Sequence, residues 1–70
     1  MNDDMAKQIA KWLEQSERRR CILESFHGSM ESIQYYRGEV EAFSSVLEKF
    51  AGWDRKDILR LKLRAGGEIK

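Results

Sequence analysis

From Ile33 to Phe50 the large apolar residues fall at intervals of three and four: Ile33, Tyr36, Val40, Phe43, Leu47 and Phe50. With about 3.6 residues per turn they line up as one stripe, which predicts an amphipathic helix over about residues 29–51 with that stripe inside. A weaker face lies opposite and holds Tyr35, Gly38, Ala42, Ser45 and Val46. A glycine in a helix costs about 1 kcal/mol relative to alanine. The small strip of Gly38, Ala42 and Ser45 is therefore expected to let another helix backbone approach closely. Its competing explanation is an exposed glycine tolerated in an otherwise strong helix.

Upstream, a second pattern predicts a helix over about 4–27, with Asp3 as the N-cap. Met5, Ile9, Trp12, Leu13, Leu23 and Phe26 share the inner face, and Lys7, Lys11, Glu14, Glu17, Arg18 and Cys21 the outer one. Ser16, Arg19 and Arg20 interrupt the inner stripe. Three readings compete there: arginines that lay their methylenes on the seam, polar groups that fix register or partner choice, and an anion-binding patch of Arg18, Arg19 and Arg20 beside Trp12. Gly28 is expected at the left-handed position that ends this helix, with Ser29 capping the next. Folding at Gly28 would bring Ile9 to Leu47, Leu13 to Phe43 and Leu23 to Ile33, an antiparallel hairpin. The alternative is a break near Ser16 followed by one long helix, because the apolar spacing keeps its phase through Gly28.

Gly52 closes the second helix. Trp53, Asp54, Asp57 and Ile58 then fit a hydrophobic staple with a weakened capping box, which predicts a short third helix over about 55–64. The rival is a strand, since Leu59, Leu61 and Leu63 alternate with Arg60, Lys62 and Arg64. Gly66 and Gly67 are expected to end the helix and leave a frayed tail. The predicted fold is thus all-α: an antiparallel helical hairpin with a short C-terminal helix.

Length sharpens this picture. A 70-residue chain buries only about 60% of its unfolded surface, so one core is marginal without reinforcement. One cysteine, Cys21, supplies no intrachain disulfide, and one cysteine with one histidine falls short of a structural zinc site. Oligomerisation is the remaining route, and a homodimer forming a four-helix bundle is the expected assembly. Its contacts are expected at Trp12, Tyr35, Gly38, Ala42, Ser45, Val46 and Trp53. The acidic start and the absence of a long apolar run lead to the expectation of a cytoplasmic protein with no membrane partner.

Charge is unevenly spread. Residues 53–70 carry six basic and three acidic groups, whereas residues 28–52 carry two and four. Lys56, Arg60 and Arg64 fall on one helical face and are candidate nucleic-acid contacts, together with Arg18, Arg19 and Arg20. Four glutamates, Glu31, Glu39, Glu41 and Glu48, oppose a nucleic-acid field over the whole domain. No phosphate loop, metal-ligand spacing or nucleophile beside a base is present. Cys21 and His27 point about 120° apart on a helix and do not pair within a chain. Glu17, Glu24 and Glu31 are expected on a solvated face. Neither catalysis nor a cofactor is expected.

The run from Tyr35 to Ala42, Y-Y-R-G-E-V-E-A, resembles segments of small helical proteins of unknown function from phages and other mobile elements. That resemblance implies a small accessory or inhibitory protein and carries over no site residues. The expected function is a non-enzymatic, self-associating helical module that binds another protein. A small nucleic-acid-binding protein is the alternative.

Overall fold

The computed structural model describes residues 2–67, which form three helices: α1 (Asp3–Ser25), α2 (Met30–Phe50) and α3 (Arg55–Gly67). α1 and α2 make the antiparallel hairpin expected from Gly28, and residues 58–64 are helical, not a strand. α3 runs alongside α1 in the same direction, with Arg64 paired to Glu14 and Gly66 close to Cys21. The result is an up-down-up bundle in which α3 rests chiefly on α1.

The core explains the pairing. Leu13 and Leu47 are fully buried and meet at the centre of a cluster with Ala6, Ile9 and Ala10 of α1, Val40 of α2, and Ile58 and Leu61 of α3. Phe43 and Trp53 pack against its edge, as the hairpin register and the staple both require. Ala6, Ala10 and Ala65 are buried small residues, and Ala10 lies beside Leu61 and Arg64 of α3, where lack of bulk lets helices lie close.

The first helix differs from its expected face. Met5, Trp12 and Phe26 are exposed, whereas Ala6, Ala10 and Glu17 are buried. In α2, Phe50 at the end of the predicted stripe is also exposed. The physical reason is the seat of α3: it covers the alanine side of α1 and leaves the aromatic side uncovered. Glu17 accordingly leaves the solvated row expected for Glu17, Glu24 and Glu31 and enters the interior.

Helix ends also shift by a residue or more. Asn2, not Asp3, is the N-cap of α1, its side-chain oxygen accepting from the Met5 N–H at 2.8 Å. Asp3 and Asp4 fall in the first turn, where they meet the positive end of the dipole. Ser29 caps α2 as expected, accepting from the Ser32 N–H. α3 passes its expected stop at Arg64 because Ala65 is fully buried and Gly66 packs towards Cys21, so tertiary contact carries the helix through the glycines. The expected fraying of the tail falls outside the described residues.

The turn at Gly28 inverts the expected roles. His27 takes the left-handed conformation at φ 54°, and the Gly28 N–H donates to the Leu23 carbonyl at 2.7 Å, the six-to-one bond of a Schellman end. Gly28 is needed for space: a Cβ there would sit 2.7 Å from Leu23 Cδ2 and 3.2 Å from its carbonyl oxygen. His27→Gly is therefore expected to raise stability by about 0.5–1 kcal/mol, and Gly28→Ala to lower it by about 1–2 kcal/mol. Urea denaturation of the two variants checks the opposite signs. Equal losses in both would show that the left-handed residue is unstrained.

Candidate interaction surfaces

Met5, Trp12 and Arg19 recur every seven residues and so share one side of α1, and Phe26, the residue that caps its C-terminal end, continues the spacing. On α2, Tyr36, Phe43 and Phe50 do the same. The hairpin register sets the two rows side by side: the Trp12 and Phe43 rings lie 6.0 Å apart, and the Arg19 guanidinium lies 6.0 Å from the Tyr36 ring centre. α3 touches other positions of α1, among them Ala10, Glu14 and Cys21, so this face stays open. Its exposed side chains are large: Met5 at 51%, Trp12 at 43%, Phe26 at 78% and Phe50 at 68%. Near the turn, Arg19, Ile22, Leu23 and Tyr36 line an open hollow of about 170 Å³.

The interface residues expected from the sequence do not form one surface. Trp12 belongs to the open face, and Tyr35 is exposed with its ring edge-on to Tyr36, 5.1 Å away. Gly38, Ala42 and Ser45 are exposed on the far side of α2, and a Cβ at Gly38 would meet nothing within 4 Å. Val46 and Trp53 are half-buried against the core. The two tryptophans have separate neighbourhoods: Trp12 packs at a tilt against Phe43, whereas Trp53 lines a groove between α1 and α3. The seven-residue spacing of Met5, Trp12 and Phe26 is legible in the sequence, but periodicity alone assigns it to a core, and the place of α3 leaves it exposed.

The basic candidates divide likewise. Arg19 is spent on Tyr36, and Arg20 is held by Glu17 and Glu24. Arg18 is half-buried within α1, and Lys56 is exposed on α3. Arg60 and Arg64 line the Trp53 groove, where two lysines missed by the sequence reading, Lys7 and Lys11, join them. The signal is the four-residue spacing of Lys7 and Lys11, which by itself predicts only an outer face.

Between the apolar core and the turn lies a belt of polar side chains. Ser16 Oγ donates to Glu39 Oε2 at 3.2 Å, and Arg37 of α2 pairs with Glu24 of α1 at 3.3 Å. Glu17, only 5% exposed, pairs with Arg20 and accepts from the Cys21 thiol at 3.6 Å. Its hydrogen bond to Arg20 holds that guanidinium still further above its ordinary range. Burial pushes the Cys21 thiol up, and the neighbouring carboxylates add to this against the opposing charge of Arg20. A thiol so placed is a poor nucleophile near neutral pH. The belt thus joins α1 to α2 by charge and hydrogen bonding where large apolar residues are scarce.

Among the described residues no group of three or more histidine, cysteine, aspartate or glutamate side chains is placed to hold a metal ion. Among them, too, no helix is long and apolar enough to cross a membrane. No family model, curated protein or solved structure matches the chain.

Proposed function

We propose that the chain is a self-associating helical module whose protomers pair through the open α1–α2 face. The observation that carries this reading is the presence of exposed Met5, Trp12, Phe26 and Phe50 on that face, with half-buried Tyr36 and Phe43 between them. Exposed apolar residues scattered singly are ordinary, but four large ones gathered on one face of a small chain mark a contact surface. The face is also poor in charge in a protein that is 36% charged: along its two rows only Arg19 carries one. Aromatic residues, methionine and arginine are the types enriched at interface centres.

Size supports a second copy as the occupant. The row from Met5 to Phe26 runs about 30 Å at about 1.5 Å per residue. Two helices about 10 Å apart make the face about 20 Å wide. Each protomer then contributes about 600 Å², and the pair about 1,200 Å², at the lower edge of specific interfaces. Two hairpins packed face to face by a two-fold axis give a four-helix bundle with α3 on each outer side. In this arrangement the Gly38 strip lies outside the contact.

Light scattering over a dilution series tests the pairing. The wild-type chain is expected to have twice its monomer mass at high micromolar concentration and to dissociate on dilution. The double variant Phe26→Glu, Phe50→Glu is expected to keep its helicity and remain monomeric, because both side chains are exposed in the protomer. A wild-type monomer throughout the series overturns the proposal. So does a double variant that still pairs while Ala42→Glu does not, which would transfer the contact to the small strip.

A further inference from the structure

On the other side of α1, two adjoining open hollows of about 320 and 230 Å³ share Trp53, Leu61 and Arg64. Arg60 and Asp57 complete one, and Lys7, Lys11 and Glu14 the other. Together they form a groove between two parallel helices. Its cations outnumber its carboxylates, and Glu14 is already engaged by Arg64. Among the described residues no carboxylate forms an ion pair with Lys7, Lys11 or Arg60, and all three are exposed.

We infer that this groove binds single-stranded nucleic acid, with phosphates along the cations from Lys7 and Lys11 to Arg60 and a base stacked on Trp53. The pair on α1 is one helical turn apart, about 6 Å along the axis, and Arg60 and Arg64 repeat that step on α3. Successive phosphates of an extended strand can match such a ladder. Trp53 is what separates this groove from a plain basic surface. It is only half-buried and lines both hollows, so an aromatic ring stands beside the cations, the combination that holds single strands without reading sequence. An acidic peptide would satisfy the lysines but has no use for the indole. A duplex is too stiff and wide to lay a base against it. The groove lies away from the Trp12–Phe43 face, so the inference stands whether or not the chain pairs.

The test is titration of the full chain with oligothymidylate, followed by tryptophan fluorescence and by anisotropy of a labelled strand. Binding is expected at low salt, with the fluorescence quenched and the affinity falling steeply as salt rises. Trp12→Phe should keep the quench, which assigns it to Trp53. Lys7→Glu with Lys11→Glu should weaken binding by at least about tenfold. Both lysines are exposed, and circular dichroism will verify that the helices persist. Lys7→Gln with Lys11→Gln should give an intermediate loss. Absence of binding at low salt overturns the inference, as does binding indifferent to the lysine reversal. Equal quenching by polyglutamate, or tighter binding of duplex than of single strand, overturns it in favour of an acidic polypeptide or a duplex partner.

Discussion

Leu47→Ala is expected to lower the unfolding free energy by about 3–5 kcal/mol. A 70-residue domain has roughly 4–10 kcal/mol in total, so this one truncation brings the bundle close to its melting point at room temperature. The size of the effect follows from position. Leu47 is fully buried in a cluster shared by Ile9 and Leu13 of α1 and by Ile58 and Leu61 of α3. Removing its branched end opens a cavity where three helices meet, and none of them can move in without leaving another. Leu59→Ala is the control: Leu59 is 55% exposed, and its loss should cost less than about 0.5 kcal/mol. Urea melts at one fixed protein concentration measure both, since pairing of the chains would make stability depend on concentration. A loss below about 1 kcal/mol for Leu47→Ala would mean that the helices do not share one core.

The second large effect concerns the buried Glu17. Its partner Arg20 keeps 22% of its side chain in solvent, whereas Glu17 keeps 7%. Arg20→Ala leaves that carboxylate in the interior with only the Cys21 thiol as a described partner, and is expected to cost about 2–4 kcal/mol. This range lies a little below that for a fully buried pair because water still reaches the guanidinium. Glu17→Met should behave quite differently. It removes the charge, keeps the volume, and is expected to change stability by less than about 1 kcal/mol in either direction. The double variant should resemble Glu17→Met alone, so a double-mutant cycle will show strong non-additivity. Additive losses would show that Glu17 is adequately solvated without Arg20.

These two sites also show where the sequence was legible. The α2 stripe was clear because Ile33, Val40 and Leu47 are large, apolar and evenly spaced, and the turn was marked by Gly28 and Ser29. α1 was harder to read. Its buried side is built partly from Ala6 and Ala10, which carry little hydrophobic signal, and includes Ser16 and Glu17, which carry the wrong one. Its exposed side carries Met5, Trp12 and Phe26, which periodicity alone assigns to a core. Spacing reveals that residues share a face, but the neighbour that covers the face is chosen by the rest of the chain. Here α3 took the side where small residues permit close approach. The Trp53 groove was hidden for the same reason, since Lys7 and Arg60 are distant in sequence until α3 lies beside α1.

The seat of α3 also leaves the bundle uneven along its length. Among the described residues α3 packs with the part of the hairpin near Leu13 and Leu47 and reaches Cys21 through Gly66, whereas Phe26, His27 and Ser29 at the turn are exposed. In hydrogen exchange this becomes a gradient of opening. Amides around Leu13 and Leu47 should exchange only through global unfolding, while those flanking His27 and Gly28 exchange through cheaper local opening. A protease acting on the folded chain would find the same place first, cutting near Phe26 before reaching any residue beneath α3.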